Sequence, residues 1–191
     1  AAGVNITTGS GNVALGYQIF NGTTTGSQNI GIGYQTYLSS LSGSQNIAMG
    51  QWTLQNLTSG SNNVAVGSQS MGAATTGGGN VAVGYNSGQS ITTGSNNINI
   101  GNFPTNGVGT TTGSNNIILG NDVRPPSQTS SNQLNIGNLI YATDLSTGST
   151  LSNGNVGIGT TAPGTSLDLG SKTDAVRLPA GTTGQRPGTP V

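Results

Sequence analysis

The side chains able to do proton, metal or covalent chemistry are few and lie toward one end of the chain. Asp122, Arg124, Asp144, Asp168, Lys172, Asp174, Arg177 and Arg186 carry all the charge, residues 1 to 121 contain no Asp, Glu, Lys, Arg or His, and Cys and His are absent. A serine nucleophile needs a base, and without His that role would fall to Lys172, the sole lysine. Paired carboxylates must stand close together; the one near pair, Asp168 and Asp174, is flanked by Lys172 and Arg177, the pattern of a solvated charge cluster or an intersubunit ion pair. Gly31-Ile32-Gly33 resembles a phosphate cradle only superficially, since no Gly-Lys-Ser or Gly-Lys-Thr occurs. Calcium-binding β-rolls require Asp in each turn, and these turns carry Ser, Thr or Asn. The expectation is a chain that is not an enzyme and takes no metal and no cofactor. A surface without clustered Lys and Arg cannot displace counterions, so neither nucleic acid nor anionic membrane is an expected partner. No apolar run approaches the length of a membrane span, and the lack of cysteine leaves the redox compartment open.

Binding through neutral side chains remains. The aromatic candidates for binding are Tyr17, Tyr34, Tyr37, Trp52 and Tyr85. Tyr17 and Tyr34 recur at the repeat period described below, which fits a structural stack or a subunit interface. The same side chains also fit a sugar-stacking surface, with Trp52 its best member and Tyr17, Tyr34 and Tyr37 beside it. Threonines at 23 to 25, 75 and 76, 92 and 93, and 110 to 112 precede Gly turns. They read as turn chemistry, and alternatively as a flat array suited to ice.

These side chains are positioned by a repeat. GSNNVAVG at residues 60 to 67 returns as GSGNVALG, GSQNIGIG, GSQNIAMG, GGGNVAVG, GSNNINIG and GSNNIILG, and more weakly as SSNQLNIG and SNGNVGIG. The copies start at 9, 26, 43, 60, 77, 94, 113, 130 and 152, so the spacing is 17 five times, then 19, 17 and 22. Hydrophobic residues make up only 31%, yet apolar side chains held at fixed places in every copy argue for order over disorder. A fixed period over this many copies means a stack of coils.

Two large apolar residues flank a small or polar one in Val13 and Leu15, Ile30 and Ile32, Ile47 and Met49, Val64 and Val66, Val81 and Val83, and Ile98 and Ile100, while Ile117 and Leu119 flank Ile118, which breaks the rule. Alternation in a short β-branched run bounded by Gly predicts a strand with one buried face, and these fourteen residues are the expected core. The connectors align as Tyr17-Gln18-Ile19-Phe20, Tyr34-Gln35-Thr36-Tyr37, Gln51-Trp52-Thr53-Leu54 and Ser68-Gln69-Ser70-Met71, predicting a second, weaker strand per coil and an apolar column that ends at Gly88. Asn12, Asn29, Asn46, Asn63, Asn80, Asn97 and Asn116 stand once per coil, placed to hydrogen-bond along the stack. The fold class expected is therefore all-β, a parallel β-solenoid rod over residues 1–160. Residues 161–191, rich in Pro and Gly, read as an irregular junction with short strands at Leu167-Asp168-Leu169 and Ala175 to Leu178. With no initiator Met, the chain reads as a piece of a longer polypeptide. So thin a coil, at roughly 25 cal/mol per Å² of buried apolar surface against roughly 1 to 2 kcal/mol per residue of chain entropy, is marginal alone, and a homotrimer is the expected remedy.

With those residues in view, the repeat, TSGSNNVAVG at residues 58 to 67 with Tyr-Gln after the closing glycine at Tyr17-Gln18 and Tyr34-Gln35, resembles the left-handed β-roll repeats of trimeric autotransporter adhesin heads and their relatives in bacteriophage tail fibres. The segment NVGIGTTAPGTSLDLGSKTDAVRLPAGTTGQRP, from Asn155, resembles a junction of phage tail fibres where a shaft meets a distal domain. The resemblance implies a homotrimer, a virion or cell-surface location, no cofactor, and a shaft that holds a receptor-binding tip toward a host-surface glycan or protein. An adhesin head, a self-assembling extracellular filament and an ice-binding solenoid are the alternatives.

Overall fold

The structure, a computed structural model, describes residues 5–37, 39, 41–103, 111–147, 149 and 151–170. Every regular element among them is a strand: β1 (Val13–Tyr17), β2 (Ile30–Tyr34), β3 (Ile47–Gln51), β4 (Val64–Val66), β5 (Val81–Val83), β6 (Ile98–Ile100), β7 (Ile117–Leu119), β8 (Leu134–Ile136), β9 (Ile140–Ala142), β10 (Val156–Ile158) and β11 (Leu167–Asp168). All belong to one sheet, in chain order. From β1 to β8 each strand lies parallel to the next and pairs at its repeat position, so Val13, Ile30, Ile47, Val64, Val81, Ile98, Ile117 and Leu134 form one file. The result is a parallel β-solenoid of about seven coils of ~17 residues, about 34 Å from β1 to β8 at one strand spacing per coil. Among the described residues no helix is long and apolar enough to cross a membrane.

The second strand expected in each connector does not form. Gln18, Phe20, Gln35, Tyr37, Trp52, Leu54, Gln69 and Met71 take φ between +48° and +59°, so the chain bends tightly instead of running extended. Left-handed conformations cost energy for residues with a β-carbon. The bends are held by main-chain bonds between coils, from the N–H of Gln35 to Tyr17 O (2.9 Å), Trp52 to Tyr34 O (2.9 Å) and Met71 to Ser87 O (2.9 Å). Backbone pairing between coils thus continues through a segment that is not a strand.

The phase of the strands is the reverse of the one expected. Ala48, Ala65 and Ala82, with Asn99 and Ile118, point inward and are buried, whereas Val13, Leu15, Met49, Val83 and Ile100 are exposed, Leu15 to 64%. Ile30, Ile32, Ile47, Val64, Val66, Val81, Ile98, Ile117 and Leu119 are half-buried. The fourteen residues expected in the core therefore line the outer face. The cause is room. A β-carbon added at Gly31 would stand 2.5 Å from Ile19 Cγ2, so the bend has already filled the space that a larger strand side chain would need.

The core is the connector column: Ile19, Phe20, Tyr37, Leu54 and Met71, with Leu41, Leu57 and the strand alanines. The Phe20 and Tyr37 rings stack with centroids 5.0 Å apart. Later coils trade volume between two positions three apart: Leu54 with Leu57, Met71 with Ala74, and Gly88 with Ile91, all buried. A β-carbon at Gly88 would already touch Ile91 Cδ1 at 3.1 Å, so the large side chain has moved across the coil. Close-packed interiors require such exchange.

Parallel stacking stops at β8. β9 enters antiparallel to β8, β10 pairs antiparallel with β9, and β11 pairs parallel with β10. The copy starting at 152 is therefore not a further coil on its predecessor, because Ile140–Ala142 stands between them and its Tyr141 and Ala142 are buried. The expected strand at Leu167–Asp168 is present as β11. The one expected at Ala175 to Leu178 lies outside the described residues.

Two outcomes follow. Arg124 precedes Pro125 and Arg186 precedes Pro187, which leaves Lys172 and Arg177 as the tryptic sites, both beyond β11. Trypsin is expected to leave residues 1 to 172 as one fragment even in urea, read by mass spectrometry; an internal tryptic cut before Lys172 would contradict this. Burial pushes the Tyr37 hydroxyl far above the ordinary tyrosine value. Its neutral form is the one the core accepts, so this contribution is full below about pH 10, where the unfolded phenol ionises, and is lost as pH rises beyond it. Melting temperature by circular dichroism is expected to fall above about pH 10, less steeply in Tyr37→Phe; an alkaline fall unchanged in Tyr37→Phe would be the contrary result.

Candidate functional site: the outer face of the sheet

The candidate site is the outward face of the strands. Its two files begin at Val13 and Leu15 and run through every parallel strand to Leu134 and Ile136. They do not stop where the chain reverses. Opposite Leu134 lie Ala142, then Val156 and Leu167, and opposite Ile136 lie Ile140 and Ile158. β9 runs the other way and places Ile140 and Ala142 in the same files, Ile140 half-buried and Ala142 buried, while Tyr141 lies on the buried side beside Asn135. A sheet with one wet face ordinarily turns polar side chains to water and apolar ones inward. Here the inward file is Ala, Gly or Asn in most coils and the outward files are Val, Ile, Leu and Met. The face is about 48 Å long over ten strand spacings, and two files with their side chains make it on the order of 500 Å². That is as large as the biggest apolar patch on an ordinary monomer.

Hydrogen bonding ties the turns beside this face into continuous files. Asn46 Nδ2 donates to Asn29 Oδ1 (3.0 Å) and to Gly60 O (2.9 Å), while its Oδ1 accepts from the N–H and Nδ2 of Asn63, both at 3.0 Å. Asn80, Asn97 and Asn116 repeat the pattern. Asn12 opens the file by accepting the Asn29 N–H at 2.8 Å. Each central amide is buried with its donors and its acceptor used, which leaves no desolvation penalty standing. Gln133 closes the file; its Nε2 donates to Asn116 Oδ1 (3.2 Å), Ser127 O (2.8 Å) and Ser130 O (2.7 Å). Sequence reading passed over this residue, although aligning SSNQLNIG with GSNNIILG puts Gln133 under Asn116. A second file is made by Ser27, Ser44 and Ser61, whose Oγ atoms accept the N–H of Ser10, Ser27 and Ser44 at 3.0 to 3.1 Å.

The aromatic candidates divide. Tyr17 and Tyr34 are exposed at the rim of the apolar face and stack with centroids 5.4 Å apart at 13°. Their facing ring surfaces are spent on each other, which argues for the structural stack over a sugar platform. Tyr37 is fully buried and unavailable to any glycan, which corrects its place among the candidate contacts. Trp52 is half-buried and donates Nε1–H to Gln35 Oε1 (2.6 Å), and Gln35 Nε2 donates to Gln18 Oε1 (2.6 Å). Within the threonine stretches, Thr75, Thr92 and Thr111 each donate their hydroxyl to a carbonyl of the next coil at 3.1 to 3.2 Å, as Thr58 does at 3.0 Å.

Charge contributes little. Arg124 and Asp122 approach to 4.0 Å with both side chains about half exposed, a pair of small worth. Asp168 accepts the N–H of Gly164 (2.8 Å) and Gly170 (2.7 Å), which lowers its pKa. Its expected neighbours Lys172, Asp174 and Arg177 lie outside the described residues. Among the described residues no group of acids or imidazoles is placed to hold a metal ion. In comparisons with known proteins, no family model matches the chain, and neither a curated protein nor a solved structure matches it.

Asn63 tests the amide file. Asn63→Ala leaves the Gly77 carbonyl and the Asn80 amide without partners, each a loss of about 1 to 3 kcal/mol. A denaturant midpoint well below that of the parent is expected, whereas Asn62→Gly, at an exposed position of φ +61° that Gly11 and Gly79 fill in their own coils, has little effect; equal midpoints for the two variants would show that the file does not hold the coils together.

Proposed function

We propose that this chain is a shaft segment that works as a homotrimer, its three outer sheet faces packed around a common axis, and that it holds a host-binding tip at a distance from its base. The observation that carries the reading is the inverted phase of the strands. Large apolar residues point away from a coil whose inward strand position is Ala or Gly in the first five coils, and they do so in every strand from β1 to β8. A second copy of the face is its natural complement, since the face is straight, neutral and repeats at one strand spacing. Association supplies the apolar burial that a thin coil lacks.

The resemblance of the repeat to adhesin heads and tail fibres supports the same reading, with left-handed coils and a location on a virion or cell surface. Function then lies in length and stiffness, with receptor choice in the connectors or outside this segment.

Light scattering of the purified chain is expected to give three times the 18.8 kDa chain mass. The double substitution Val64→Asp with Val66→Asp is expected to dissociate it, while Asn62→Asp, at an exposed turn position of the same coil, leaves the mass unchanged. A stable, fully folded monomer of the parent chain would sink the proposal.

A further inference from the structure

We propose that Asn21 and Asn153 are the sites, among the described residues, at which this asparagine-rich chain deamidates without an enzyme, and that the fold protects the others. Asparagine is a heat-labile residue. It is lost when the main-chain nitrogen of the next residue attacks its Cγ. A C–N bond forms, the Cγ–Nδ2 bond breaks, and ammonia leaves with the proton of the attacking N–H. Water then opens the succinimide at either carbonyl, giving aspartate or isoaspartate with no change of oxidation state. The attacking N–H must be free to ionise, and the asparagine side chain free to swing onto it. A hydrogen-bonded N–H gives up its proton slowly, the same protection that hydrogen exchange reports.

The solenoid withholds one condition or both at most of its asparagines. In the amide file the N–H after Asn63 is that of Val64, which donates to Asn80 O at 2.8 Å, and Asn63 Nδ2 is fixed on Asn46 Oδ1 (3.0 Å) and Gly77 O (2.9 Å). Asn62 and Asn96 are exposed, yet the N–H that follows each donates to the file, to Asn46 Oδ1 (3.0 Å) and Asn80 Oδ1 (2.9 Å). Between the repeat words the N–H after Asn56 donates to Leu54 O (3.1 Å), and that after Asn121 to Asn102 O (2.8 Å).

Asn21 and Asn153 meet both conditions. Each is exposed, and among the described residues neither its side chain nor the N–H of the following Gly22 or Gly154 has a hydrogen-bond partner. Glycine also lacks the β-carbon that would crowd the attack. Gly154 is fixed as glycine, since a β-carbon there would stand 1.7 Å from Thr143 O. A third such pair, Asn106-Gly107, lies outside the described residues. Residues 1 to 121 carry no charge, so reaction at Asn21 gives that part of the rod its first ionised side chain. Isoaspartate there also adds a main-chain atom between the bend at Phe20 and the bridge of Thr24 to Leu41. Neither asparagine stands in a strand, so the inference is independent of how copies associate.

The test is to incubate the whole folded chain in warm, mildly alkaline buffer, digest it with chymotrypsin and locate the converted residues by mass spectrometry. Asn21 and Asn153 are expected to convert at least about tenfold faster than Asn62, Asn63 and Asn96. In urea, where the bonds between coils are lost, Asn62 and Asn96 are expected to convert several-fold faster than in the folded chain. Retention of the Asn21 and Asn153 amides, or an Asn62 rate equal in the folded and unfolded chain, would overturn the assignment.

Discussion

The width of the coil interior governs the rest of this structure. One wall is a tight bend whose side chains, Phe20, Tyr37, Leu54 and Met71, reach across and fill the space. The opposite wall is a strand, left with room for Ala or, under Ile19 and Tyr37, for Gly31 alone. Large residues on that strand have nowhere to go but out. The outward apolar files, the thin core and the reading as an associating shaft all descend from that single restriction.

A coil that cannot bury much must be held by directional bonds, and this one is held on three sides. The strand ladder supplies one, the amide file from Asn12 to Gln133 another, and the main-chain bonds of the left-handed bends a third. Those bends place side chains such as Tyr37 and Met71 at positive φ, a cost that each repeat accepts because its neighbours fix the geometry. Gly67 shows how closely the coils approach: its φ is +129°, and a β-carbon there would lie 2.4 Å from the Gly84 carbonyl oxygen. Such contacts join nearest neighbours only, so a rod of this kind is uniform where its sequence is uniform.

Much of this was legible in the sequence. The period, one strand per copy, the closing glycines and the amide file were readable because each rests on a residue type with few alternatives at that geometry. The phase of the strand was not. Val64-Ala65-Val66 announces two faces of different size but does not say which one is inside, and that answer depends on the bulk delivered by Leu54 and Met71 from another part of the coil. The expected second strand failed for a related reason: Gln-Trp-Thr-Leu suits an extended segment by composition, and only the stacking of neighbouring bends stabilises the conformation it takes. β9 is three residues long and carries no periodic signal, so the reversal at Ile140 was invisible to a search for repeats.

The uniform register has a consequence for how such a chain changes over generations. Strand, amide and closing-glycine positions meet their neighbours in the same register in every copy, so an in-frame gain or loss of one 17-residue unit leaves the ladder and the amide file in step, and only the connector column, which differs from coil to coil, has to repack. Length then changes in steps of about 4.8 Å. The break in spacing after the sixth copy would resist such exchange, so the coils before it are the part of the rod free to lengthen.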